Sequence, residues 1–162
     1  MPCALPTATI NPMSDAPVLI GYDGSAEAAR AVDVAASLFG SRRAVVLAVE
    51  PPVTSAESYL VMSSAATGVD VEALNNGEAL ARATEGAERA RSAGLVADAQ
   101  TRLVSPAWEG IVDVADEIGA AVIVVGSRNH KPIHERFEGG TSRQVALHAR
   151  RPVLIVPQPA ST

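Results

Sequence analysis

Pro17-Val18-Leu19-Ile20-Gly21-Tyr22-Asp23-Gly24-Ser25 is a short apolar run that stops in a polar turn. Uninterrupted apolarity over residues 17–22 predicts a strand buried on both faces, as in a parallel sheet. Asp23-Gly24-Ser25 supplies the turn, with Ser25 placed to cap a helix. Ala28, Ala31, Val32, Ala35 and Leu38 then recur at helical spacing, and Gly40 is a natural stop. Strand, turn and helix therefore follow one another within twenty-four residues.

The unit recurs along the chain. Residues 44–49 (AVVLAV) form a second apolar run, closed by Pro51-Pro52. Residues 51–70 are rich in Ser, Ala and Pro and predict a long loop. An Ala-, Glu- and Arg-rich stretch over 71–93 predicts a helix ended by Gly94, weakened by Gly77 and Gly86. Residues 97–103 alternate, as a strand at a sheet edge would. Pro106, at a first helical position, opens a helix with an apolar face of Trp108, Ile111, Val112, Ala115 and Ile118. Residues 121–125 are the fourth strand, 126–140 a loop, 142–149 a short helix and 152–157 the last strand. Strands alternating with helices imply right-handed crossovers and a mainly parallel sheet.

Composition limits the functions available. Hydrophobic residues are 48%, charged residues 19%, and the formal charge is −5. That balance suits a globular domain and argues against nucleic-acid binding, which needs clustered cations. A single cysteine, Cys3, excludes an internal disulfide framework and fits a reducing compartment. No run is long and apolar enough to span a bilayer, so a membrane partner is not expected. Residues 1–12 lack the pattern of a secretory signal. Residues 1–15 read as a flexible extension, with Met13 as an alternative start, and residues 16–159 as the domain.

In an open parallel sheet, ligands bind beyond the carboxyl ends of the strands where the winding reverses. For strand order 3-2-1-4-5 that place lies between strands one and four. Gly21, Tyr22, Asp23 and Ser25 fall at one of those ends, and Gly126, Ser127, Arg128 and Asn129 at the other. Gly139, Gly140, Thr141 and Ser142 open the fourth helix, where backbone N–H groups and two hydroxyls suit phosphate oxygens. Asp23 can accept from a ribose hydroxyl or an adenine amine, or hold a metal ion. Each position also admits a plainer role: Gly126 and Asp23 as turn formers, Ser142 as a helix cap.

Other motifs are missing. There is no GxxxxGK[ST], GxGxxG or GxSxG. Pro132 stands between His130 and His134 and breaks the helix that would align them for zinc. Trp108 reads as core or partly buried surface.

The segments VLIGYDGS, LAVE, IVDVADEIGAAVIVVGSR and GGTSRQVALHARRPVLIVP resemble the universal stress protein family from Val18 to Val156. The resemblance implies a doubly wound five-stranded parallel sheet of order 3-2-1-4-5 with helices on both faces, the adenine nucleotide alpha hydrolase-like fold. The nucleotide-binding motif of that family is Gly, two residues, Gly, nine residues, Gly, then Ser or Thr. Its first and last glycines match Gly126 and Gly139; the family aspartate matches Asp23, and the residue whose backbone meets adenine matches Val49. Asn129 and Gly140 depart from the motif. Asn129 tolerates a left-handed backbone; Gly140 keeps its N–H but lacks a hydroxyl. Glu138 disfavours a triphosphate unless Arg128, Lys131 or Arg136 offsets it.

The implied function is a cytoplasmic stress-response protein that holds ATP or a related adenine nucleotide, with or without Mg²⁺, as a regulatory ligand. The alternative is an interaction protein without nucleotide, acting through residues 129–138. Catalysis is not implied beyond weak ATP hydrolysis, since no general base is evident. The last strand (Val153, Leu154, Ile155, Val156) is an apolar edge, and the resemblance implies a homodimer paired through it.

Overall fold

The computed structural model describes residues 15–52, 71–127 and 140–159. Five strands and four helices alternate among them: β1 Val18–Gly21, α1 Ala26–Phe39, β2 Arg43–Glu50, α2 Val71–Ser92, β3 Val96–Leu103, α3 Ala107–Glu117, β4 Val122–Ser127, α4 Thr141–His148 and β5 Val153–Pro157. The sheet order is β3-β2-β1-β4-β5, and every pairing is parallel. This is the order that the sequence resemblance implies. Residues 1–14 of the expected extension (1–15), 53–70 of the expected loop over 51–70 and 128–139 of that over 126–140 lie outside the described residues.

Side-chain alternation along the central strand explains the two layers of helices. Val18 and Ile20 point to one face, into a cluster with Ala28, Ala31, Val32 and Ala35 of α1 and Ala87 and Ala90 of α2. Leu19 points to the other, among Ile111, Val114 and Ala115 of α3 and Val145 of α4. Both faces of β1 are fully buried, so its sequence is apolar throughout rather than alternating.

α1 has the predicted bounds. Ser25 Oγ accepts the Ala28 N–H at 3.1 Å, and Gly40 takes φ 58°, a backbone that favours glycine. Leu38, read as part of the apolar stripe, is instead 61% exposed, and Phe39 packs on the core. At about 100° per residue, Phe39 lies nearer the stripe's centre, set by Ala28, Val32 and Ala35. In α3 the buried residues are Gly110, Ile111, Val114 and Ala115, and Pro106 caps the helix rather than opening it. Trp108 is half-buried, its ring stacked on His148 at 4.3 Å and 23°.

β4 runs two residues beyond its predicted end. Gly126 and Ser127 pair with Val156 and Pro157, because β5 supplies a backbone partner that the local sequence does not reveal. Among the described residues both outer strands have one open side: β3 pairs with β2 alone and β5 with β4 alone.

Candidate functional site

β1 delivers the chain to the carboxyl edge of the sheet between β2 and β4. Pairing persists one residue past the strand, where the Tyr22 N–H donates to the Leu47 carbonyl at 2.9 Å. Asp23 Oδ1 then accepts the Ser25 N–H at 3.0 Å, so one carboxylate oxygen shapes the turn that Ser25 converts into the cap of α1. Two successive side-chain bonds thus fix Asp23 at the mouth of the crevice.

Gly126 faces that turn from β4. A Cβ on it would lie 2.6 Å from the carbonyl carbon and oxygen of Glu27 and 3.0 Å from the Ala28 nitrogen. The glycine therefore lets the first turn of α1 sit directly on β4. On the other face Gly140 caps α4, its carbonyl accepting the Arg143 and Gln144 N–H groups at 3.1 Å each. The N–H groups of Thr141 and Ser142 stand in the first turn, where a helix leaves donors for an outside acceptor. Stacking of Trp108 on His148 joins the first turn of α3 to the last residue of α4.

A cavity of ≈ 150 Å³ opens between these elements. Of the residues singled out by sequence, Gly21, Tyr22, Asp23, Ser25, Val49, Gly126, Thr141 and Ser142 line it. Ser127 continues β4 and Gly140 caps α4; neither lines the cavity. Arg128, Asn129 and Gly139 lie outside the described residues.

Tyr22 contributes differently from its neighbours. Its ring belongs to the core between β1 and α2, in contact range of Gly86, and its hydroxyl donates to Glu85 Oε1 at 2.9 Å. Burial, and then the bond to Glu85, push its pKa up to about 12. The signal was available: Tyr22 has the parity of Val18 and Ile20, which face that core.

Sequence reasoning missed Glu27, Ala28, Leu47, Ala107, Ile111 and Val125 in the lining. The apolar ones follow from their strands and helices once the crossing geometry is known. Glu27 does not, because an acid in a first helical turn is ordinarily solvated and favoured by the helix dipole. Here it is 8% exposed and accepts a hydrogen bond from Gln158 Nε2, beyond β5.

An open parallel sheet, wound in opposite senses from β1 and β4 and bearing a cavity at that reversal, defines a doubly wound α/β domain with a candidate ligand crevice. The sequence model of the Universal stress protein family matches residues 16–157, and the chain belongs to that family. Universal stress protein Rv1636 of Mycobacterium tuberculosis is 28% identical over 145 residues, spanning 86% of this chain and 94% of that protein. In the crystal structure of Rv1636 the likeness has a TM-score of 0.53 at 26% identity, over 89% of this chain and 96% of the other. The universal stress protein of Archaeoglobus fulgidus in complex with dAMP aligns at a TM-score of 0.58 and 24% identity, over 87% of this chain and 97% of the other. A universal stress protein in complex with cAMP aligns at 0.58 and 23%, over 88% and 96%. At these last identities the likeness carries the fold.

Proposed function

We propose that this chain is a stress-response protein that binds an adenine nucleotide as a regulatory ligand. The observation that carries the reading is the cavity at the winding reversal, which gathers Asp23, Val49 and the start of α4. Asp23 accepts from a ribose hydroxyl or the adenine amine. The backbone at Val49 meets the base, and the N–H and hydroxyl groups of Thr141 and Ser142 meet phosphate oxygens. The complexes of relatives with dAMP and cAMP support the choice of adenine. A pocket enclosing a whole small ligand has roughly 300–1,000 Å³, so the described ≈ 150 Å³ takes part of a nucleotide.

The reading includes ATP, taken up with or without Mg²⁺. The residues fit that ion only as partners to the nucleotide. Asp23 and Glu27 offer oxygens in the cavity, but among the described residues no three acidic, His or Cys side chains gather as a metal cluster. Mg²⁺ commonly binds one or two carboxylates together with substrate phosphates. Bound, it would neutralise phosphate charge.

The same reading includes a cytoplasmic homodimer paired along β5, where Ile155 is 39% exposed on an open edge. Light scattering behind size exclusion tests the dimer, and a monomer alone refutes it. Isothermal titration with ATP and Mg²⁺ tests the site. Saturable binding is expected, reduced about tenfold or more in Asp23→Ala by loss of a charged hydrogen-bond acceptor. No heat at millimolar nucleotide from a folded sample refutes the reading.

A further inference from the structure

The first turn of α1 contributes an acidic residue to the cavity lining. Glu27 is the one carboxyl group in the buried class among the described residues, and it shares the lining with Thr141 and Ser142. Its main chain lies against Gly126, which places it on the β4 side of the crevice, across from Val49 at the end of β2. Two bonds fasten the segment after β5 to this same helical turn. Gln158 Nε2 donates to Glu27 Oε1, and Arg30 Nε donates to the Pro157 carbonyl at 3.1 Å. The carboxylate is thus held beside the segment that follows β5, in a residue that lines the same cavity as Thr141 and Ser142. The described lining carries two carboxylates, Asp23 and Glu27, and no Lys or Arg.

We infer that Glu27 makes the site select its adenine ligand by charge, favouring forms of low negative charge and admitting the triphosphate only as its divalent-cation complex. A buried carboxylate is screened weakly, so each added phosphate charge nearby meets a repulsion that bulk water would nearly abolish. The partial positive charges at the starts of α1 and α4 offset part of it, since each is worth about half an elementary charge. Asp23 and Glu27 would help hold a divalent cation brought in with the phosphates, and its charge would offset the rest. Adenosine, with no phosphate, escapes the repulsion altogether.

The inference rests on the nucleotide reading, and one set of titrations separates the two. Affinities for adenosine, for ATP in excess EDTA and for ATP with Mg²⁺ are measured on the wild type and Glu27→Gln. Gln keeps the shape of the side chain and an oxygen for Gln158, and removes only the charge. The ratio of metal-free ATP affinity to adenosine affinity should rise on the order of tenfold in the variant. With Mg²⁺ the rise should be smaller.

An unchanged ratio overturns the inference and leaves the nucleotide reading intact. So does a loss confined to adenosine, which would make Glu27 an acceptor for the nucleoside itself. If neither adenosine nor Mg²⁺-ATP binds the wild type, both fail. Gln158→Ala provides a second variant, since it frees the carboxylate without removing it. It should move the ratio the same way by a few-fold, and no movement in either variant counts against the role.

Discussion

Placing one methyl group on Gly126 tests the packing on which the crevice depends. The added Cβ would meet the Glu27 carbonyl carbon and oxygen at 2.6 Å, against the 3.4 Å at which ordinary contact begins. Relief requires the first turn of α1 to withdraw by about 0.8 Å, since the contact is far inside the van der Waals minimum. The obstacle is backbone, so no rotamer change can absorb it. Overpacking typically costs about 1–3 kcal/mol, and a clash between two main chains belongs at the upper end. For a domain of this size 1 kcal/mol moves the midpoint by roughly 2–4 °C, so Gly126→Ala should melt about 6–12 °C lower. Gly77→Ala is the opposing control. A Cβ at this exposed, helical position meets nothing within 4 Å, so the substitution should stabilise by about 0.5–1 kcal/mol. Circular dichroism melts and urea titrations read both. A Gly126→Ala protein within about 0.5 kcal/mol of the wild type, the range of an ordinary surface substitution, would refute the account of this contact.

Two further outcomes follow from the same elements. The Tyr22 hydroxyl is held protonated to about pH 12 in the fold, against 10.0 in the unfolded chain. Its contribution to stability is therefore complete below about pH 10 and is lost as pH rises through about 12. Urea midpoints measured from about pH 9 upward should fall more steeply for the wild type than for Tyr22→Phe, and parallel curves would contradict this. At the start of α4, Gly140 caps without a side-chain bond in an extended backbone any residue can adopt. Gly140→Ser should add a few tenths of a kcal/mol by accepting a first-turn N–H, read as a small rise in melting temperature; a fall would contradict it.

The cavity was legible wherever local chemistry carries position. Asp23 and Ser25 act through neighbours two and three residues away, so their turn and cap show in the sequence. Val49, Thr141 and Ser142 follow from knowing which strand and helix ends share an edge. Tyr22 lines the cavity and has a second role as well: its ring lies in the core beside Gly86 with its hydroxyl on Glu85. Glu27 was illegible because the partner that helps hold it, Gln158, stands 131 residues away.

Order and type of the elements came from sequence alone, because apolar runs, helical spacing, Ser25 and Gly40 express preferences that act within a few residues. Tertiary structure alone decided that β4 continues through Ser127, that Phe39 rather than Leu38 meets the core, and that Gly126 is a contact point for α1. It also decided that the crevice contains a second carboxylate. Each of these depends on which distant backbone arrives alongside, and burial, unlike helix capping, is a property of the neighbours rather than of the residue.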